Sequence, residues 1–298
     1  MKGTVYGIAA YTLWGLFPMY WKLLDQVSPI EILGHRIVWS FVLLLILLRL
    51  LKYTIIPPQF KQNPKTLRVS FLASVLLAGN WLTFIFAVTS GYIVEASLGY
   101  FINPLFSIIL GMLFLHERPR SGQWFAIALA IAGVLYLTFM YGSFPWIALT
   151  LTFTFGVYGL LRKTMALNSL QGLFVETGLL SLPAVLLLLF LESKSILQFG
   201  QASLSTHLLL ITAGVVTATP LLLFAGSARR VPLTHLGFLQ YLAPTLQFLL
   251  GIFLYHEPFS QERLTGFSLI WLAILVYMLE GARSRQRRKQ SADANCYE

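Results

Sequence analysis

The second apolar stretch of this sequence carries three ionisable side chains that could do chemistry. In EILGHRIVWS, Glu31 and His35 are one helical turn apart, and Arg36 follows directly. A charged group at the centre of a bilayer costs about 2.5–3.5 kcal/mol on insertion scales, so charges retained there often have a function. We expect these residues to form a gate in which Arg36 holds an anionic partner. The structural alternative is that Glu31 lies at the membrane interface and Arg36 extends its guanidinium toward water.

Two pairs, each of one acid and one imidazole, are related by an almost constant spacing. The interval from Glu95 to His235 is one position shorter than that from His35 to Glu176, and both are slightly less than half the chain. Each half of the chain would then place one acid and one imidazole at equivalent depths. We hypothesise two related gates, with Glu31, Glu95 and Glu176 as proton-carrying candidates, because carboxyl groups in a low dielectric bind protons more readily. For Glu95, the alternative is that it only caps the positive end of a helix.

Two prolines at equivalent positions are predicted to break helices. Pro104 and Pro244 lack the N–H group that would bond to the carbonyls of Tyr100 and Gln240, and in lipid such carbonyls need another partner. This suggests a polar cavity at the midplane, with the candidate substrate-binding residues Trp14, Asn80, Trp81, Tyr100, Asn103, Tyr158, Gln240 and Tyr241. The alternative is that hydroxyl side chains fill the kinks and that Asn80 makes a structural bond between helices.

The composition of the chain requires a membrane environment. Hydrophobic residues make up 57% of the chain and charged residues only 11%, whereas soluble domains carry about 25% charged residues. Apolar runs of about twenty residues, the length that spans a bilayer as a helix, recur throughout. We predict an all-α integral membrane protein with ten transmembrane helices, at residues 4–21, 31–51, 67–88, 94–115, 122–141, 145–161, 172–191, 206–227, 233–255 and 264–283.

The distribution of Lys and Arg predicts the orientation of these helices. With a cytoplasmic N-terminus, 17 of the 21 Lys and Arg residues lie beside cytoplasmic helix ends, three lie outside and Arg36 lies within a span. Since positive residues collect on the cytoplasmic side, both termini are predicted to be cytoplasmic. The net charge of +10 then reflects topology and not a nucleic-acid partner. Residues 284–298 form a basic and polar tail, which we expect to be disordered along anionic headgroups.

The sequence also contains an internal repeat. Segments 99–119 and 239–259 share a proline, a glycine and a His-Glu pair, all at one constant offset. Five predicted spans precede residue 144 and five follow, and a unit that crosses the membrane an odd number of times is followed by an inverted copy. We predict a first five-helix repeat at residues 1–143 and a second, inverted repeat at residues 144–283, with a substrate site near the midplane between them.

A stripe of small residues runs along the fifth predicted span. Gly122, Ala126 and Ala130 follow each other at intervals of four residues, and such stripes let a neighbouring helix approach closely. We expect the stripe to pack against the tenth span or against a second copy of the chain. A homodimer is therefore a candidate assembly.

Six segments of the sequence match the pattern of a known family. They are LWGLFPMYWKLL, PIEILGHRIVWSF, GNWLTFIFAV, EASLGYFINPL, YGLLRK and LGFLQYLAPTLQFLL. From about residue 3 to residue 283, the chain resembles RarD-type members of the EamA family, in the drug/metabolite transporter superfamily, a subgroup whose name is linked to chloramphenicol sensitivity. The resemblance implies ten helices in a bacterial inner membrane, with export or exchange of small organic metabolites or drugs. The expected partners are a small-molecule substrate, the lipid bilayer and, with coupled transport, the proton.

Signals for an enzyme or a metal site are weak. The His-Glu pairs at 116–117 and 256–257 resemble the start of a zinc-protease motif, but the second histidine that this motif requires four positions after the first is absent. We predict no metal, no cofactor and no enzymatic activity. The alternative is an intramembrane enzyme or a lipid flippase that uses Glu31, His35 and Arg36, with the first two as acid and base.

Overall fold

A computed structural model of the chain describes residues 2–55, 58, 60, 63, 65–90, 92–200, 202–255 and 261–295. In these residues the regular structure is helical and contains no strand. The α-helices are α1 (Lys2–Trp21), α2 (Pro29–Leu50), α3 (Lys65–Thr89), α4 (Ile93–Leu115), α5 (Ser121–Tyr141), α6 (Trp146–Thr164), α7 (Ser169–Ser193), α8 (Leu204–Ala228), α9 (Leu233–Gln240), α10 (Leu242–Phe253) and α11 (Gln261–Asn295). The all-α fold is therefore confirmed.

Within the described residues, eight helical segments are long and apolar enough to cross a bilayer. They are α2, α3, α4, α5, α7, α8, the pair α9–α10, and α11. Helices α1 and α6 occupy the two other predicted spans, but α1 is rich in Gly, Tyr and Trp and α6 is rich in Thr, which lowers their hydropathy. The count of ten transmembrane helices therefore stays a prediction.

The two prolines of the repeat act differently on their helices. The ninth predicted span is interrupted at Tyr241, three residues before Pro244. By contrast, α4 continues through Pro104 without a break, so the predicted break at Pro104 is wrong. A proline removes only one helical hydrogen bond, and α9 packs closely here, since a Cβ atom on Gly237 would lie 2.7 Å from the carbonyl oxygen of Pro104.

The two predicted halves of the chain are interleaved. Helix α1, from the first half, packs on α8 and α10, and α6, from the second half, packs on α3 and α4. Helix α2 contacts both α7 and α8, and α4 contacts α9. Helices α5 and α11 pair with each other at one side of the bundle. Each half therefore contributes its first helix to the packing of the other half.

Glycines allow equivalent close contacts in these two interleaved regions. A Cβ atom on Gly15 of α1 would lie 2.7 Å from the Leu246 side chain on α10. A Cβ atom on Gly156 of α6 would lie 2.4 Å from the Phe106 ring on α4. Gly156 is the repeat counterpart of Gly15, and Leu246 is that of Phe106, since the offsets of the two pairs differ by a single position. The spacing of the sequence repeat thus recurs in the packing.

The buried apolar side chains form two main clusters. The larger one extends over α1, α2, α3, α6, α7 and α8 and also includes residues of α4 and α9. Its centre consists of five aromatic residues with neighbouring ring centroids 5.1–6.3 Å apart, namely Tyr11, Trp14, Phe155, Tyr158 and Phe224. The smaller cluster lies between α4, α5, α9 and α11.

Helix α11 bears on two predictions, namely which helix packs against the small-residue stripe of α5 and whether the C-terminal tail is disordered. The small-residue stripe on α5 packs against α11, because Ala126 and Ala130 share a buried cluster with it and a Cβ atom on Gly122 would meet Glu280 at 2.5 Å. The disorder expected for the tail is wrong as far as Asn295, because α11 continues helically to that residue. The segment RSRQRRKQ consists mostly of Arg, Gln and Lys, which favour helices.

Candidate functional site

Arg36 is positioned by a close crossing of α2 and α8. The Ser40 hydroxyl donates a hydrogen bond to the Gly214 carbonyl oxygen at 3.1 Å. A Cβ atom on Gly214 would lie only 2.4 Å from the carbonyl carbon of Trp39, so the two backbones meet where residue 214 has no side chain. One turn earlier on α2, the Nε–H group of Arg36 donates to the Thr217 hydroxyl at 2.9 Å.

This hydrogen bond directs the guanidinium toward the interior of the bundle. The starts of α2 and α8 lie at the same end of the protein, because the Gln26 side chain donates to Thr206 at 3.4 Å. Thr217 lies near the middle of α8, which spans Leu204–Ala228. A guanidinium extended toward the membrane surface would instead approach Leu204. Arg36 therefore does not adopt the water-directed conformation of the structural alternative.

Aromatic rings surround the Arg36 guanidinium. Its Cζ atom lies 4.8 Å from the Trp21 ring centroid and 5.3 Å from the Trp81 ring centroid, both within the range of cation–π interactions. Tyr100 on α4 is 41% exposed, and its ring lies 6.3 Å from the ring of Phe84, one turn beyond Trp81 on α3. Among the described residues, the ion pairs join other side chains and none includes Arg36. Together Arg36, Trp21, Trp81, Tyr100 and Thr217 form what we call the Arg36 site.

Asn103 and Gln240 form a polar connection between α4 and α9. The Asn103 amide donates to Gln240 Oε1 at 2.7 Å, and the Gln240 amide donates to the Ser107 hydroxyl at 2.9 Å. All three side chains are buried. In the described part of the chain, Asn103 Oδ1 has no hydrogen-bond partner. Since Asn103 is one turn beyond Tyr100 on α4, this connection lies next to the Arg36 site, where the sequence predicted the cavity floor.

Trp14 and Asn80, two of the predicted cavity residues, make structural contacts instead. The Trp14 ring packs in the central aromatic cluster. The Asn80 amide donates to the Leu151 carbonyl and the Thr154 hydroxyl, each at 3.0 Å. This is the interhelical hydrogen bond of the structural alternative, and it joins α3 to α6.

Tyr158 and Tyr241 are also absent from the Arg36 site. The Tyr158 hydroxyl donates to Glu176 at 3.0 Å. Tyr241 is fully buried in the cluster between α4, α5, α9 and α11. It lies at the break between α9 and α10 and packs into that cluster, whereas Gln240, the residue before it, bonds to α4. In this conformation both tyrosines are buried in helix packing, and their role in substrate binding stays a prediction.

Glu31 is held by the connection between α7 and α8. Its two carboxylate oxygens accept hydrogen bonds from the backbone N–H groups of Gln198 and Phe199 at 2.9–3.1 Å. His35 Nε2 lies 3.9 Å from Glu31, and the His35 ring lies 4.6 Å from the Phe199 ring. Glu31 is fully buried, so a substrate cannot reach it as the acid or base of an enzyme in this conformation.

Glu95 caps the first helix of the second half. Its Oε1 accepts a hydrogen bond from the N–H of Ile147, in the first turn of α6, at 2.7 Å. Its Oε2 accepts one from the Tyr141 hydroxyl, at the end of α5, at 2.8 Å. A carboxylate is stabilised beside the positive end of a helix, although here it caps α6 and not its own helix.

His235 makes the equivalent contacts at the opposite end of the protein. One ring nitrogen is 3.2 Å from the Thr4 hydroxyl, in the first turn of α1, and the other is 3.0 Å from the Tyr277 hydroxyl on α11. Like Glu95, His235 thus joins the first helix of the other half to the last helix of its own half. Glu95 and His235 stand at equivalent positions of the sequence repeat, and they make equivalent contacts in the structure.

A buried ion pair lies near the same end as His235. Arg162 Nη1 donates to Glu176 Oε1 at 3.0 Å, and both side chains are 0% exposed. Gly172 makes room for the guanidinium, since a Cβ atom there would lie 1.8 Å from Nη1. Beside the pair, Lys163 Nζ donates to the carbonyl oxygens of Ala228 and Val231. These contacts close the end of the bundle at which α6 ends and α7 begins.

The His-Glu pair at 116–117 has a capping role. His116 ends α4 with a positive φ of 55°, and Glu117 accepts hydrogen bonds from the N–H groups of Leu233 and Thr234 at 2.6 and 2.8 Å. The second pair, at 256–257, lies outside the described residues. In the part of the chain that is described, no three His, Cys, Asp or Glu side chains are grouped so that they could hold a metal ion.

Trp21, Thr217 and Arg162 belong to these sites but were not among the predicted residues. Arg162 entered the sequence analysis only as one of the positive residues that predict the topology, and Trp21 stands at the end of the first predicted span without a signal that sets it apart. For Thr217 a signal exists, because it is a hydroxyl residue in the middle of an apolar helix and stands three positions before Pro220.

Comparison with known proteins gives similarity over almost the whole chain. Residues 1–139 match the EamA-like transporter family. A Bacillus subtilis protein named uncharacterized transporter YojE is 46% identical over 292 residues, which cover 97% of each chain. Protein RarD of Escherichia coli K12 is 42% identical over 286 residues, which cover 96% of this chain and 97% of RarD. A crystal structure of an 18% identical protein covers 94% of this chain and 98% of its own with a TM-score of 0.68, a likeness of fold.

Proposed function

The chain belongs to the EamA-like transporter family, and from this premise we propose that it is a secondary transporter that moves small organic metabolites or drugs by alternating access. Its relatives are named as transporters, and the chain is a membrane transporter and not an enzyme. We propose the bacterial inner membrane as its location, with both termini in the cytoplasm. Export or exchange is the proposed mode of transport.

The Arg36 site is the observation that carries this proposal. It joins α2 and α3 of the first half to α8 of the second, and Thr217 places it near the middle of α8. Secondary transporters bind their substrates near the midplane, at the interface between repeats. A cationic group surrounded by aromatic rings at that depth has the chemistry of a binding site.

Alternating access also needs a closure at each end of the bundle. At one end, Glu31 ties α2 to the connection between α7 and α8. At the other end, the Arg162–Glu176 pair ties α6 to α7. We propose that these two groups of contacts are the gates and that they open in turn.

An inverted repeat would explain why the packing is interleaved. The equivalent contacts of Gly15 and Gly156, and those of Glu95 and His235, are related by the spacing of the sequence repeat. We propose that residues 1–143 and 144–283 are the two inverted units and that they rock against each other around the Arg36 site. Because the first helix of each unit packs against helices of the other unit, this motion would rearrange the interfaces between the two units.

Transport can be tested with sealed membrane vesicles that contain the overproduced protein. The vesicles are incubated in a metabolite extract from the same cells, and retained compounds are measured by mass spectrometry. We expect at least one small organic compound to accumulate in sealed vesicles and to be lost when the membrane is permeabilised, because transport is vectorial. Vesicles without the protein serve as the control.

Two outcomes would contradict transport. The first is equal retention by sealed and permeabilised vesicles for every compound. The second is chemical conversion of a compound by the purified protein in detergent, where no gradient exists, since this would indicate an enzyme.

A further inference from the structure

Arg36 has more hydrogen-bond donors than the described protein uses. A guanidinium carries five N–H donors in a planar fork, and its described hydrogen bond runs from Nε to Thr217. Among the described residues no hydrogen bond runs from its two Nη atoms, and Arg36 is half-buried. Trp21 and Trp81 contact the guanidinium, which leaves its Nη edge available to a ligand.

Other cations in the bundle are satisfied in different ways. Arg162 pairs with Glu176, and Lys163 and Arg229 donate to backbone carbonyl oxygens that end neighbouring helices. Arg36 does neither within the described residues. An uncompensated charge away from water is costly, and cation–π contacts with two rings offset only part of that cost, at about 0.5–2 kcal/mol each. A ligand anion would supply the missing charge.

We propose that Arg36 binds the carboxylate group of a monoanionic organic substrate, a step that names the substrate class of the transporter proposed above and rests on that function. The Nη fork matches the two oxygens of a carboxylate in a bidentate arrangement. Thr217 fixes the rotation of the guanidinium, and Trp21 and Trp81 hold its position. A dianion such as phosphate fits less well, because one cation would leave one negative charge unpaired.

The surroundings of Arg36 also select the remainder of the substrate. Trp81 lies beside the guanidinium, and one turn further along α3 the Phe84 ring is 6.3 Å from the Tyr100 ring of α4. Aromatic walls favour an apolar or aromatic body. The substrate class that follows is a small carboxylic acid with an apolar or aromatic side group, bound as its anion.

Matched acids and amides test this proposal. The probes are benzoate, phenylacetate and indole-3-acetate, each with its primary amide, which keeps the shape and removes the charge. Binding is measured with the purified full chain in detergent, as the rise of the unfolding midpoint with probe concentration. We expect at least one acid to bind about tenfold more tightly than its amide, since a charged, bidentate pair is about twice as strong as a neutral hydrogen bond.

Variants then test whether Arg36 causes the tighter binding of acids than of amides. Arg36→Gln is expected to abolish it, and Arg120→Gln, which removes an equally charged group from the exposed pair with Glu280, is expected to retain it. Should Arg36→Gln not fold, Arg36→Lys and Thr217→Val replace it, and both are expected to weaken acid binding several-fold. Lys keeps the charge without the fork, and Val removes the orienting hydroxyl.

Three results would overturn the proposal. They are equal binding of every acid and its amide to the wild-type protein, an acid preference that survives in Arg36→Gln, or unaltered binding in both Arg36→Lys and Thr217→Val. Each of these would leave transport itself standing, because vectorial accumulation in sealed vesicles is measured separately and does not depend on the charge of the substrate.

Discussion

The three candidate proton carriers accept hydrogen bonds from very different partners. Glu31 and Glu95 accept from uncharged backbone N–H groups at helix ends or connections. Glu176 instead pairs with the side chain of Arg162, a contact that a gate can break without unfolding a helix. Of the three, Glu176 therefore has the geometry that best suits a carboxylate that gains a proton as a gate opens.

We predict that Glu176→Gln removes the pH dependence of transport, because glutamine cannot titrate. The measurement is the initial uptake rate of a compound found in the vesicle experiment, from mildly acidic to mildly alkaline pH. Glu95→Gln is tested in parallel. If both variants keep the wild-type pH profile, neither carboxylate couples transport to protons.

Because Glu176→Gln leaves Arg162 without its charged partner, this test needs a control variant that stays folded without a titrating group at position 176. Breaking a buried ion pair costs about 3–5 kcal/mol, whereas replacing both partners by apolar groups is often neutral. The double variant Arg162→Met with Glu176→Leu is therefore expected to unfold at a higher temperature than Glu176→Gln alone, and it also lacks a titrating group at this position.

Single residues of the site could be predicted from the sequence, but their partners could not. Arg36 and Glu176 stand out because charges are rare in apolar helices. Thr217 is 181 residues from Arg36 along the chain, and its role depends on a helix crossing that no local pattern encodes. Tyr241 and Tyr158 have the right residue type for a cavity, yet helix packing turns them into other interfaces.

The crossing of α2 and α8 is the element on which the Arg36 site depends. We predict that Gly214→Ala lowers the unfolding midpoint and weakens acid binding, because the new Cβ atom would lie 2.4 Å from the backbone of Trp39. Backbone atoms cannot rotate away, so the helices must separate, at a cost of about 1–3 kcal/mol. Thermal unfolding and the acid–amide comparison measure both effects.

Gly79→Ala is the matched control for this crossing. A Cβ atom on Gly79, in the interior of α3, would have no neighbour within 4 Å. We expect this variant to unfold at the wild-type temperature or slightly above it, because Ala favours helices more than Gly does. Equal midpoints for Gly214→Ala and the wild type would mean that the close crossing does not limit stability.

Helix positions were the most predictable feature of the chain. Nine of the ten predicted spans end within three residues of the described helices, because apolar length alone fixes them. The tenth continues as α11 beyond its predicted end at residue 283. The uninterrupted course of α4 past Pro104 could not be predicted, since the helix that packs against that turn comes from the other half of the chain.

At the scale of the whole molecule, the proposed inverted topology predicts which residues face each side of the membrane. Ser143, exposed between α5 and α6, should face outward, and Lys65, exposed at the start of α3, should face the cytoplasm. The two positions are replaced separately by cysteine in a chain whose single native cysteine, Cys296, is replaced by serine. A membrane-impermeant maleimide is then added to intact spheroplasts.

The expected result is labelling of Ser143→Cys in intact spheroplasts and of Lys65→Cys only after lysis. Each half has five predicted spans, so the loop between the halves must lie opposite the N-terminus. Labelling of Lys65→Cys in intact spheroplasts, with Ser143→Cys protected, would reverse the proposed orientation. Equal labelling of both positions before lysis would reject the predicted span count.

The exchange of first helices between the halves also has a consequence for biosynthesis. When translation has passed residue 143, α1 has already been made, but the helices that cover its Gly7 and Gly15 face, α8 to α10, have not. The Gly7 and Gly15 face of α1 therefore stays without its packing partners until more than sixty further residues have been translated. Each half made as a separate polypeptide would likewise lack the partners of its first helix, so we expect the two halves to complete their packing only when they meet.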